Sequence, residues 1–148
     1  MRMRAVLILT AGLLLAADDA KEEPIQKDLK KLEGTWKIVS LQVNGATAAP
    51  DDPFVVKGRL IFKGGKYWID YGDKLSPKCK VELDVTKDPK TIDFTADEGP
   101  QKGKPLRGRY VFKGDTLQLC LAMAPGNGRP PKLTEKNAQL ITVERAKD

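Results

Sequence analysis

The stretch LEGTWKIVSLQVNG, residues 32–45, decides how this chain folds. A glycine, a threonine and a tryptophan open a segment rich in β-branched and apolar residues, the composition of a strand. In a strand every second side chain lies on the same face. Here the apolar set changes face partway, from Trp36 and Ile38 to Val39, Leu41 and Val43. A bulge near Ile38–Val39 accounts for the change, because one extra residue bends a strand and moves its pattern by one. A bent strand belongs to a sheet that curls.

Two hairpins further on can be registered from their turns. In GRLIFKGGKYWIDY, residues 58–71, a two-residue Gly64-Gly65 loop selects a primed turn. Leu60 then faces Ile69 and Phe62 faces Tyr67 on the apolar side, while Arg59 faces Asp70 as an ion pair and Ile61 faces Trp68 on the other. In LRGRYVFKGDTLQLCLAM, residues 106–123, Gly114-Asp115 places glycine first, as a type II′ turn requires. Phe112 meets Leu117 and Tyr110 meets Leu119 inside, with Arg109 opposite Cys120 outside. A one-residue slip would expose the apolar set, so the register is well specified.

Segments 79–86, 91–96 and 139–145 alternate in the same way, and with the opening strand they make eight. No helix-length segments intervene, so the sheet is expected to be antiparallel, and curling shut removes its exposed edges. The fold expected is all-β: an eight-stranded antiparallel barrel with a short N-terminal helix closing one end. That helix is read from KEEPIQKDLKKLEG, residues 21–34, with Ile25, Leu29 and Leu32 on one stripe. In a closed barrel the first and last strands are neighbours, so Arg145 can lie on the Trp36 indole at the barrel floor. The stretches 44–57, 97–105 and 124–137 read as irregular.

The chain has 148 residues, enough for one domain. It opens with MRMR and then a 13-residue apolar run, AVLILTAGLLLAA, at 5–17. That run is short for a membrane span and suits a secretory signal, with cleavage near Ala17; an uncleaved anchor is the alternative. The expected organisation is a signal peptide at 1–17, a linker at 18–24 and a barrel domain at 25–148. The protein would then be exported, to the periplasm, cell envelope or extracellular space. Removing residues 1–17 takes away Arg2 and Arg4 and no acid, lowering the formal charge from +6 to +4. The bases are scattered among acids, without a basic face of stacking aromatics, so no nucleic-acid partner is expected.

The barrel reading rests on residues that also carry a resemblance. LEGTWKIVSLQVNG (32–45), LDVTKDPKTIDFT (83–95), GPQKGK (99–104), GRYVFKGDTLQLCLA (108–122), RP (129–130) and LITVER (140–145) span nearly all of the chain after residue 17. The Gly-x-Trp of the first strand, a short helix before it and an arginine on the last strand are similar to the lipocalin pattern. The whole set more closely resembles a Planctomycetes-type family of small exported lipocalin-like domains. Residues 131–138 and Cys79 depart from that likeness. What the resemblance implies is a fold and an exported setting; the family has no established catalytic residues to carry over.

Chemistry in the sequence is sparse. With no histidine, the commonest general base and the commonest metal ligand are missing. No nucleophile–base–orienter set can be assembled, so the chain is expected not to be an enzyme, and to hold no metal or cofactor. The inward list offers Leu60, Phe62, Tyr67, Tyr110, Phe112 and Leu119 as a lining for a small apolar ligand, oriented by the Tyr67 or Tyr110 hydroxyl. A filled core is the alternative. Inward Gly58 and Gly108 would either leave room for a guest or let the sheet coil tightly. Trp36 and Arg145 read as structural. Ile61, Trp68, Arg107 and Arg109 form a possible outer contact surface, the basis of the rival reading: an envelope interaction module with a packed interior. Asp93, Asp97 and Glu98 read as solvated surface. Cys79 and Cys120 fall on opposite faces, which argues against a bridge unless a bulge intervenes.

Overall fold

The computed structural model describes residues 22–134 and 136–147. The expected signal peptide at 1–17 lies outside them, as do residues 18–21 of the linker. The chain divides into two compact units, through Leu32 and from Glu33 onward. In the first, helix α1 runs over residues 22–32. Leu32 and Asp28 on it are buried, and Ile25 and Leu29 are half-buried.

The second unit is a closed antiparallel barrel. Its strands are β1 (Gly34–Val43), β3 (Arg59–Lys63), β4 (Lys66–Asp70), β5 (Cys79–Asp84), β6 (Lys90–Ala96), β7 (Pro105–Lys113), β8 (Thr116–Ala122) and β9 (Ala138–Arg145). Each pairs with the next, and β1 pairs with β9 to close the ring. A ninth strand, β2 (Ala46–Thr47), is an outlying partner of β1 alone.

Strand β1 is bent where its pattern said. Ile38 faces Val143 and Ser40 faces Thr142, leaving Val39 as the extra residue of a bulge. Trp36, Ile38 and Leu41 are buried, whereas Val39 is 49% exposed: it is the bulge itself and does not join the inner set. Both hairpins hold the expected register, with Phe62 opposite Tyr67 and Tyr110 opposite Leu119. Gly64 and Gly65 both have positive φ, and at the other turn Gly114 alone does, as types I′ and II′ demand. Arg59 and Asp70 are opposed, but each turns to local backbone: Arg59 donates to the carbonyls of Val56 and Gly58, and Asp70 accepts from Gly72.

The stretch 44–57, expected to be irregular, is ordered by two local signals. Asn44-Gly45 has positive φ at both residues and turns β1 into β2. Asp52 then caps helix α2 (Pro53–Lys57), its carboxylate accepting from the Phe54 N–H at 2.9 Å, with Pro53 in the first turn.

The strand directions give the barrel two unlike ends. One carries the tight turns at 64–65 and 114–115 and the start of β1; the other carries the long connections 44–58, 71–78, 97–104 and 123–137. At the long-loop end two seams part. Strand β1 leaves β3 after Lys37 faces Arg59, and α2 enters beside it. Between β4 and β5 only Lys66–Lys80 and Tyr67–Cys79 are paired. Beyond them Ser76 stands in for the missing ladder, its Oγ accepting from the Ile69 N–H and its N–H donating to the Ile69 carbonyl, each at 2.8 Å. An unpaired buried backbone group is costly, so such a substitute is what lets the seam open.

Candidate functional site

The interior is packed toward the tight-turn end and hollow toward the other. Leu60, Ile92, Leu117, Leu119 and Val143 have no exposed surface, and Trp36 and Tyr110 have almost none. Over this core sits an aromatic layer. The Tyr67 and Phe94 rings stack at 4.1 Å between centroids, and Phe62 lies 5.1 Å from Tyr67 and 6.1 Å from Phe94. Above the layer is a cavity of about 430 Å³. Its wall is mainly apolar, from Leu41, Ile69, Leu106, Leu121 and Ile141 on the strands and Phe54 on α2. Pro77, Gln101 and Lys104, all exposed, stand at its mouth. The volume is within the roughly 300–1,000 Å³ of ordinary ligand pockets.

Of the six lining residues expected, only Tyr67 borders this cavity. Leu60, Phe62, Tyr110 and Leu119 are buried in the packed half, and Phe112, half-buried beside Tyr110, is also away from it. Alternation identifies the inward face but not which inward residues border open space: Ile69 and Ile141 line the cavity, while their cross-strand partners Leu60 and Leu119 are buried away from it. Gly58 and Gly108 leave no room for a guest. A Cβ on Gly58 would lie 2.3 Å from the Phe54 carbonyl oxygen, and one on Gly108 2.5 Å from Leu121 Cδ2. Both glycines serve close packing.

At the opposite end the Arg145 guanidinium lies 4.1 Å from the centre of the Trp36 ring, the two residues facing each other across β1 and β9. Arg145 also donates to the Glu33 carbonyl. Gly34 makes this possible: its φ is +123°, and a Cβ there would come within 2.8 Å of Arg145 Nη1.

The outer positions are more committed than the sequence suggests. Arg109 donates to the carbonyls of Pro130, at 2.7 Å, and Pro89, at 2.8 Å. Asp93, read as solvated, instead takes two hydrogen bonds from Arg129, at 2.7 and 3.2 Å, and Arg129 also reaches the Gly108 carbonyl. Arg107 faces Asp93 across β6 and β7. Asp97 pairs with Lys66 at 2.5 Å, and Glu98 is exposed. Ile61 and Trp68 are half-buried, with the Lys78 ammonium 4.8 Å above the indole.

The segment after β8 is thus fastened over the barrel's outer wall, and Cys120 is buried beneath it. The Cys120 thiol lies 3.2 Å from the Thr134 carbonyl and accepts from the Thr134 N–H at 3.5 Å. Cys79 borders the cavity inside, and the two cysteines are unbridged. Burial, first of all, pushes both thiols upward in pKa; Asp97 adds to this for Cys79.

Among the described residues no group of three or more acidic, cysteine or histidine side chains is placed to hold a metal, and no helix is long and apolar enough to cross a membrane. A larger hollow of about 630 Å³ lies on the outside, between Lys37, Arg59, Glu144 and Lys147. Its walls are solvated charges of both signs. Comparison with protein-family models, curated proteins and solved structures returned no match.

Proposed function

We propose that this chain is an exported, non-enzymatic binding module that takes a small apolar molecule into the hollow half of its barrel. The observation that carries the reading is the apolar cavity above the Tyr67–Phe94 stack, in a barrel whose other half is filled. A core built only for stability gains from closing such space, since each buried void forfeits contacts. The mouth supports the same reading. Val43, Val56, Leu75 and Met123, large apolar side chains left exposed, all belong to segments at the long-loop end. Exposed apolar groups gathered at one end suit entry of an apolar guest. The resemblance to lipocalins and to the Planctomycetes-type exported domains, with the apolar run at 5–17, supports the barrel binder and its exported setting.

The rival reading, an envelope interaction module working through Ile61, Trp68, Arg107 and Arg109, has less to support it. Arg109 is occupied by two carbonyls and the Trp68 indole is covered by Lys78. Titration of the purified protein with a fluorescent apolar dye tests the proposal. Saturable one-to-one binding, displaced by a long-chain hydrocarbon and lost on filling the cavity with Leu121→Trp, is the expected result. Dye binding that ignores the substitution would overturn it.

A further inference from the structure

The cavity's wall is mainly apolar, and its polar side chains are Ser76 and Gln139, each bonded to backbone, Gln101 and Lys104, both exposed, and a group centred on Tyr67. Tyr67 is 5% exposed, so its ring is part of the core, yet it borders the cavity. Among the described residues no buried side-chain nitrogen or oxygen lacks a partner, and the Tyr67 hydroxyl makes no hydrogen bond. The hydroxyl therefore reaches open space, and the cavity is the space that Tyr67 borders. Cys79 faces Tyr67 across β4 and β5 and borders the same cavity, as does Tyr71. A phenol and a thiol are therefore neighbours on the wall of a mainly apolar chamber, whose lining also holds the second phenol, Tyr71. Resting on the binding reading above, we propose that this cluster is a polar subsite that recognises a neutral oxygen acceptor, a ketone or aldehyde carbonyl, on an otherwise apolar guest.

The charge balance selects the neutral group. Burial, and then the neighbouring Cys79 and Tyr71, hold the Tyr67 hydroxyl protonated, so it donates. Lys104 is the one cationic side chain of the cavity wall among the described residues, and it is exposed at the mouth. A carboxylate pushed to the Tyr67 level would lose its water with no free cation among the described residues of the wall beside it, and the penalty is heavy. Lys66, near Cys79, is paired with Asp97, and Lys74 lies over the Tyr71 ring without lining the cavity. A carbonyl loses far less and gains the phenol's hydrogen bond. The guest then enters carbonyl first, its tail among Leu41, Leu106 and Ile141.

The test compares three probes of equal chain length, a long-chain methyl ketone, the hydrocarbon and the fatty acid, on the full protein and on Tyr67→Phe. The substitution keeps the ring on Phe94, and a thermal melt checks that the fold is retained. One net hydrogen bond of about 0.5–1.5 kcal/mol predicts that the ketone binds roughly 2- to 12-fold more tightly than the hydrocarbon. Tyr67→Phe should weaken ketone binding relative to hydrocarbon binding and so erase that preference. The ketone should also slow alkylation of Cys79 by a small maleimide. Hydrocarbon binding without a ketone preference, or a preference for the fatty acid, overturns this inference alone. Failure of every probe to bind overturns the binding reading with it.

Discussion

Trp36 shows what a single side chain contributes at the packed end. It is 3% exposed, sits beneath the Arg145 guanidinium, and does not border the cavity. Trp36→Ala therefore removes core volume and the cation–π contact together, and should cost about 3–5 kcal/mol in denaturant unfolding. Affinity for an apolar dye in the molecules that remain folded should be unchanged; a stable variant that lost only binding would contradict this assignment. Tyr67 makes a prediction of opposite kind, about pH. Its folded pKa is raised, mainly by burial. Below the ordinary tyrosine value of about 10 both folded and unfolded chains keep the proton, and the group adds no pH dependence. Above it the unfolded chain ionises first, binds fewer protons, and stability falls as pH rises. Unfolding measured between neutral pH and the alkaline range should show this loss, and Tyr67→Phe should reduce it.

At the scale of elements, the bulge in β1 is the decisive device. Val39 is exposed and opposes no residue of β9, so replacing it with threonine should change stability by less than about 0.5 kcal/mol. Deleting it is another matter. The two halves of β1 would then be one residue out of step, and either Trp36 and Ile38 or Leu41 would turn outward. The deletion should abolish cooperative unfolding, read by near-ultraviolet circular dichroism. How much of this was legible follows from the range of each signal. The bulge and both hairpins are written in local alternation and two-residue glycine turns, so their registers can be read directly. The β1–β2 turn at Asn44-Gly45 and the Asp52-Pro53 helix start were equally local, and were obscured by an apparently irregular stretch. The Asp93–Arg129 pair joins residues 36 positions apart through a loop of no regular pattern, and alternation could only say that Asp93 points outward. The candidate site was legible to the same limited extent. Tyr67 was identified, but Leu106, Leu121 and Ile141 were not, because alternation marks a residue as inward without saying whether it meets packed neighbours or open space.

At the largest scale, the unit from Glu33 onward is a barrel of two halves, and its behaviour should divide the same way. Closure through β1 and β9 seals the strand edges, and the packed half gives the fold a rigid base. The seams part at the other end, where Phe54 of α2 and Ser76 line the cavity. Guests should occupy one half only. A methyl-resolved nuclear magnetic resonance titration of the protein with the long-chain methyl ketone tests it most directly. Saturable shifts at Leu41, Leu106, Leu121 and Ile141, with Leu60, Leu117, Leu119 and Val143 unmoved, are the predicted result. Shifts spread evenly over both groups, or none at all up to the ketone's solubility limit, would contradict it.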